Sequence, residues 1–279
     1  MRRIIHLSDL HFGAEEPAIA EGLLADIERQ HADLLVVSGD LTQRARASQF
    51  LAAQRFLKHI RLPQIVIPGN HDIPLYNALA RWLAPLDNYR RYIALNVEPT
   101  FYDAELAVAG VNTARSNTWK DGRISAKQVE RLRQFYTAQP DTACKILIAH
   151  HPFIPPVKDA QAALVDGGPA ALRVLEECGC HLILAGHLHL AYSGDVKPHH
   201  VEIKRSILVI QAGTAISHRR RDEANAYNVL TIDGPTLSLE VRTWNDREFT
   251  GTTPECFTQT ADGWSANQTP TAFKNSAQG

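Results

Sequence analysis

The sequence predicts an α/β fold built on parallel strands. Two observations carry this reading: short apolar runs alternate with helical stretches through the first half of the chain, and the runs stop sharply at glycine, proline or polar residues. Residues 3–7 read as the first strand. A helix over 16–30 follows, with Ile19, Leu23, Leu24 and Ile27 at helical spacing, and residues 34–38 form a buried strand. A second helix over 46–60 leads to a third strand over 64–67, which Pro68 and Gly69 end. Strands in this order pair in parallel and need crossover helices between them.

Residues 75–95 are helical in pattern but broken at Pro85, and 101–111 divide into two strands turned near Ala104 and Glu105. A helix over 125–138 precedes the strand 145–149. Pro152, Pro155 and Pro156 then force an irregular loop. The helix 169–178 closes with Gly179 at its C′ position, and the strand 182–185 follows. Beyond Leu190 the pattern changes to short β segments over 201–204, 207–212, 226–232 and 237–243, with Asp233, Gly234 and Pro235 turning the last pair. Residues 257–266 read as a hairpin around Ala261, Asp262 and Gly263. No repeat or linker divides the chain, so residues 1–267 are expected to form a single domain and the polar residues 268–279 a frayed tail.

The charge is nearly balanced, 29 Lys and Arg against 30 Asp and Glu, without the basic excess that tracks a nucleic-acid backbone. A small substrate is therefore expected in preference to nucleic acid, and the composition leaves a homo-oligomer open. The apolar start is interrupted by His6 and Asp9, too early for a signal peptide, and no run approaches the roughly 18 residues of a membrane span. Four cysteines are too few for a disulfide framework, which points to a reducing, cytoplasmic setting. Cys178 and Cys180 lack zinc-ligand spacing and read as small buried residues at a helix end.

Five clusters end these apolar runs in metal-ligand side chains: Asp9 and His11, Gly39-Asp40, Gly69-Asn70-His71-Asp72, His150, and Gly186-His187-Leu188-His189. Each would emerge from the carboxyl end of a strand onto one common edge. If the first strand persists past Leu7, Asp9 and His11 point the same way and address one ion together. His187 and His189 share that spacing, although a loop would direct them to neighbouring ions. Carboxylate and amide oxygens mixed with imidazoles suit Mn²⁺, Fe²⁺/Fe³⁺ or Zn²⁺ better than Ca²⁺. Two such ions about 3.5–4 Å apart need a shared anion, and Asp40 is suited to bridge them.

Taken together and in this order, the five blocks resemble the calcineurin-like metallophosphoesterase superfamily, and look most like its bacterial class III cyclic-nucleotide phosphodiesterase branch. The match runs over about residues 4–190 with no ligand missing. The resemblance implies a four-layer α/β/β/α sandwich of two mixed sheets flanked by helices. It puts Asp9, His11, Asp40 and His189 on a first metal, and Asp40, Asn70, His150 and His187 on a second. It makes His71 the histidine beside the leaving group, oriented by Asp72. The implied reaction is hydrolysis of a small phosphodiester, such as cyclic AMP, by in-line attack of a hydroxide held between the metals. The alternative within the hydrolases is a pyrophosphohydrolase of a nucleotide-linked metabolite or lipid precursor, which an apolar groove over 75–95 would favour; a nuclease or a silent scaffold fits less well.

Other residues carry weaker expectations. Alternation turns His151 away from the metals. His6 is expected to be a hydrogen-bonded core residue, and His31, His59 and His181 caps or surface groups. His199 and His200 fall in a β loop after the last ligand pair. Asn112 and Arg115 follow an apolar strand, and the arginine reads equally as a contact to a substrate phosphate, for which the planar guanidinium is suited, or as a surface salt bridge. Arg219, with Arg220 and Arg221, reads as a solvated loop or, in the alternative, as a basic rim that guides anionic esters.

Overall fold

Two mixed β-sheets pack face to face, and helices cover the outer side of each, giving the four layers expected. The structure is a computed structural model that describes residues 1–118, 121–156, 161–199, 205–219, 223–261 and 263–266. In chain order the elements are β1 (Arg2–Leu7), α1 (Pro17–Arg29), β2 (Leu34–Val37), α2 (Ala47–His59), β3 (Gln64–Val66), α3 (Ala78–Leu83) and α4 (Asp87–Tyr92). Then come β4 (Thr100–Tyr102), β5 (Leu106–Gly110), α5 (Ala126–Thr137), β6 (Cys144–Ile148), α6 (Gly168–Glu177) and β7 (Leu182–Ala185). The last third holds β8 (Tyr192–Asp195), β9 (Leu208–Gln211), β10 (Ala226–Asp233), β11 (Thr236–Trp244), β12 (Phe249–Gly251), β13 (Glu255–Thr260) and β14 (Gly263–Ala266).

The first sheet runs β14-β13-β11-β10-β1-β2-β3, with β12 against β11, and the second runs β4-β5-β6-β7-β9-β8. Within them β1, β2 and β3 are mutually parallel, as are β5, β6, β7 and β9. Both faces of these strands are covered, which is why they read as unbroken apolar runs. Ile4, Val36 and Ile65 meet Val108, Ile148 and Leu184 between the sheets. On the outer face of the first sheet Ile5 and Val37 pack with Leu23 and Phe50 of α1 and α2, while Leu147 and Ile183 pack with Leu132 and Leu172 of α5 and α6. Each such side chain is worth about 1.5–3 kcal/mol of burial. Ser125 starts α5 by a reciprocal cap with Gln128, and Gly179 at φ 72° ends α6, where an L side chain would be strained.

Two strands were not anticipated. β8 is a half-buried edge strand of polar sequence, and β12 has only three residues. The expected segment 201–204, Asp262 of the last hairpin and the tail 268–279 lie outside the described residues. The apolar stretch 75–95 divides sharply: Leu86 and Tyr89 enter the core, but Tyr76, Leu79, Trp82 and Leu83 remain exposed. His6 is buried and bonded to Ser38, as expected. His31 and His59 are exposed, but His181 is a buried structural group, because its Nδ1 accepts from the Lys145 backbone at 2.9 Å and ties the starts of β6 and β7. The four cysteines are free, and no helix among the described residues is long and apolar enough to cross a membrane.

Helix α1 is fastened to its sheet by one buried carboxylate. Asp26 accepts from Arg242 Nε at 2.6 Å and Nη2 at 3.0 Å, and from the Tyr227 hydroxyl at 2.6 Å. Burial opposes ionisation, but the bonds from Arg242, Tyr227 and Arg29 outweigh it and hold the carboxyl below its usual range. Its stabilisation is therefore present above the unfolded-state pKa of about 4 and is lost as pH falls through the lower folded value. Asp26→Ala should cost roughly 1.5–3 kcal/mol, since Arg242 keeps only Glu240 and the Phe249 carbonyl and the Tyr227 hydroxyl loses its acceptor. Urea unfolding at pH 7 and at pH 3 checks this: the gap between wild type and variant narrows in acid, and a gap independent of pH would contradict the assignment.

Candidate metal centre

All five clusters do emerge at the carboxyl ends of parallel strands, but not on extended backbone. β1 ends at Leu7, and Asp9, His11, Asp40, His187 and His189 have φ of 52°, 47°, 53°, 76° and 56°. Left-handed conformations are uncommon for residues other than glycine and cost about 1–3 kcal/mol each in strained cases, so the surrounding structure must impose them. Hydrogen bonds between loops do so: Asp9 N donates to Gly39 O at 3.1 Å, His11 N to Asp40 O at 2.9 Å, and Gly186 N to His150 O at 3.0 Å. Two glycines permit the approach. Gly39 has φ 102° and a Cβ there would stand 2.6 Å from His150 Nδ1, while one on Gly186 would meet Ser8 Oγ at 1.8 Å.

These turns gather the ligand atoms into adjoining groups. Asp9, His11 and His189 place theirs within 4.8 Å of one another, as do Asp9, Asp40 and His150, and again His150, His151 and His187. In the last pair His189 lies with Asp9 and His11, whereas His187 lies with His150. Asn70 Oδ1 lies 3.1 Å from both His150 Nε2 and His187 Nδ1. Asp40 Oδ2 faces both sides, 3.7 Å from His11 Nε2 and 3.4 Å from His150 Nε2.

The residues fit metal ions. Asp9 Oδ1 and both ring nitrogens of His11 are buried without a hydrogen-bond partner, a costly state for polar atoms unless another ligand completes them. Asp9 Oδ1 stands 3.5 Å from His11 Nε2 and 3.7 Å from His189 Nε2. Donors about 2.1 Å from a common ion stand roughly 3–3.5 Å apart, so these long separations suit ligands around a cation. The charge balance agrees. Burial opposes ionisation of Asp9 and Asp40, yet His189 and His11 beside the first and His150 and His71 beside the second hold both carboxyls low. Burial opposes the charged form of His150 too, but Asp40 outweighs it and pushes the ring up to about 9. His187, desolvated and beside His150, falls to about 3. Two buried carboxylates thus draw cationic charge from whatever surrounds them.

A further ring of groups aims the ligands, and sequence reasoning missed it. The Ser8 hydroxyl donates to Asp9 Oδ2 at 2.6 Å, the Ser38 carbonyl stands 2.8 Å from His150 Nδ1, and Thr214 Oγ1 lies 2.7 Å from His189 Nδ1. Thr214 follows β9 at the same edge, which was its only signal.

His71 lies at this centre, its ring 4.9 Å from that of His11, and its backbone N–H donates to Asp40 Oδ1 at 2.8 Å. Burial lowers its pKa while Asp40 opposes the change. The orienting contact differs from expectation. His71 Nδ1 is 3.0 Å from the Gln43 carbonyl, whereas the Asp72 carboxylate accepts from the backbone of Leu41, Thr42 and Gly69 and from the Thr42 hydroxyl. Asp72 therefore locks two ligand loops together, and burial with Asp40 nearby raises its pKa to about 6.

His151 does not turn away. β6 has ended at Ile148, so strand alternation no longer applies, and the ring lies 4.7 Å from His187 with Nδ1 2.7 Å from Thr113 Oγ1. Asn112 and Arg115 are engaged within the protein. Arg115 spends its guanidinium on the carbonyls of Asn112 and Ala114 and on Gln128 Oε1, and the Asn112 amide oxygen accepts from Ala114 N. Arg219 is exposed and near enough to lower the pKa of both His71 and His189. Arg220, Arg221 and His200 lie outside the described residues, and His199 is exposed in the turn after β8.

Comparison with known proteins agrees with this geometry. The family model for calcineurin-like phosphoesterases matches residues 2–191. A probable cyclic nucleotide phosphodiesterase of Synechococcus is 24% identical over 68% of this chain and 74% of its own length. A dimetal phosphatase from Danio rerio superposes with a TM-score of 0.61 at 13% identity, covering 90% of this chain and 98% of that one. A purple acid phosphatase from yellow lupin gives 0.67 at 13% identity over 90% of this chain and 52% of that chain. At such identities the two structures show the fold.

The Asp72 geometry makes a prediction. Asp72→Ala strands three buried backbone N–H groups at about 1–3 kcal/mol each, so urea unfolding should show a loss of several kcal/mol at pH 7.5. A change under 1 kcal/mol would contradict the role given to its carboxylate.

Proposed function

The chain belongs to the calcineurin-like phosphoesterase family and is a phosphoric ester hydrolase, and on that premise we propose that it is a binuclear phosphodiesterase for a small diester, a 3',5'-cyclic nucleotide such as cyclic AMP. The observation that carries the binuclear reading is Asp40 Oδ2, which faces His11 on one side and His150 on the other. Asp9, His11, Asp40 and His189 would hold one ion, and Asp40, Asn70, His150 and His187 the other. Mn²⁺, Fe²⁺/Fe³⁺ or Zn²⁺ suits such oxygen and imidazole donors. Bound there, the pair supplies positive charge for the phosphoryl oxygens and acidifies a water.

The chain's own groups do the rest. The Ser38 carbonyl can only accept, so His150 carries its proton on Nδ1 and keeps Nε2 for a ligand bond. By the same logic His71 donates from Nδ1 to Gln43 O, and a proton added at Nε2 gives an imidazolium that the carbonyl stabilises. Handing that proton to the departing alkoxide is general-acid catalysis, worth ~10²- to 10⁴-fold. Exposed Arg219 would add positive charge for an anionic ester approaching His71 and His189.

The cyclic-nucleotide reading draws on the near-neutral charge and on what the curated relatives are named as acting on. The lipid-precursor alternative calls for an acyl groove, and the 75–95 stretch is divided between core and exposed surface instead. A substrate panel on Mn²⁺-loaded enzyme decides between them: cyclic mononucleotides should turn over fastest, and turnover confined to nucleotide-diphosphate sugars or lipid pyrophosphates would reject the proposal. His71→Ala should retain its metals and lose roughly 10²- to 10⁴-fold in kcat on diesters with poor leaving groups. Wild-type kcat in that variant would remove His71 from the mechanism. Arg219→Ala should raise KM for anionic diesters and flatten its salt dependence, and an unchanged KM would dismiss the basic rim.

A further inference from the structure

Helix α3 is inside out. Amphipathic helices ordinarily turn apolar residues inward and charges to water. Here Arg81 is 6% exposed and donates to the carbonyls of Ser116, Pro74 and Thr118, while Tyr76, Leu79, Trp82 and Leu83 are 77%, 72%, 64% and 76% exposed. Leu79, Trp82 and Leu83 share one face of the helix, and Tyr76 stands in the bend just before its Asn77 cap. Large apolar side chains concentrated on one exposed face mark a binding surface.

The charge around the patch selects its occupant. No acidic residue lies between Ile73 and Leu86. The Arg44 guanidinium sits 5.0 Å over the Tyr76 ring, and Arg44 and exposed Arg46 share a cleft with Tyr76 and Asn77. Arg44 also adjoins Gln43, whose carbonyl holds His71, so the patch borders the metal centre. A second copy is disfavoured, because a two-fold contact meets itself and would bring these arginines together. Exposed Trp, Tyr and Leu beside arginines match the interface of an anionic bilayer, where rings lie at headgroup level and cations meet lipid phosphates.

We propose that the 76–83 segment, with Arg44 and Arg46, docks this protein on an anionic phospholipid surface beside the mouth of its metal centre. The docking is peripheral and independent of which diester is hydrolysed.

Co-sedimentation of the full, metal-loaded chain with phosphatidylcholine vesicles, with and without phosphatidylglycerol, tests it. The wild type should partition onto the phosphatidylglycerol vesicles and be released by salt. Leu79→Glu with Trp82→Glu, and separately Arg44→Glu with Arg46→Glu, should each weaken that partition roughly tenfold or more. The Leu79/Trp82 variant should keep its melting temperature and its turnover of bis-p-nitrophenyl phosphate, because both side chains are exposed and outside the centre. Equal sedimentation of the wild type with both vesicles, or undiminished binding by the variants, overturns the proposal. A wild-type dimer that the Leu79/Trp82 variant converts to monomer also overturns it and assigns the face to a second copy. None of these failures touches the phosphodiesterase reading, which the turnover assay reads separately.

Discussion

Asp40 brings a carboxylate into a region almost closed to water, where one oxygen faces His11 and His150 and the other takes the backbone N–H of His71. A charge so placed is costly unless cations or strong donors surround it. Three loops have to converge to supply them: the one after β1, the one after β3 and the one after β6. The left-handed turns at Asp9, His11 and Asp40 are the backbone expression of that convergence. Gly39 makes it sterically feasible, because any side chain there would strike His150.

The two-sheet architecture follows from the same need. One sheet delivers Asp9, Asp40 and Asn70, the other His150, His187 and His189, and the apolar layer between them sets the distance across which they meet. Asp9 crosses that seam directly, accepting the His187 backbone N–H at 3.0 Å. Strain at the edge is tolerated because the core beneath it is closely packed and buried on both faces.

Most of the framework could be read from the chain because doubly buried strands leave unbroken apolar runs, as at 34–37 and 182–185. β8 escaped because an edge strand needs no such run. The convergence of the five clusters was legible through their order, but their conformation was not, since Asp and His carry no mark of a left-handed turn. His151 was misdirected by extending strand alternation past the end of β6. Asp72 was misassigned because the group that orients His71 is a main-chain carbonyl, which has no sequence signal. Arg115 was claimed by nearby carbonyls, and only the fold decides which polar partner a guanidinium meets.

If Asp40 is the shared ligand, one chain holds two metal ions joined through its carboxylate. Metal analysis with electron paramagnetic resonance of Mn²⁺-loaded protein decides the matter. Two ions per chain with exchange-coupled spectra are expected, with coupling abolished in Asp40→Ala. One ion per chain, or two ions with independent spectra in the wild type, would contradict that role for Asp40.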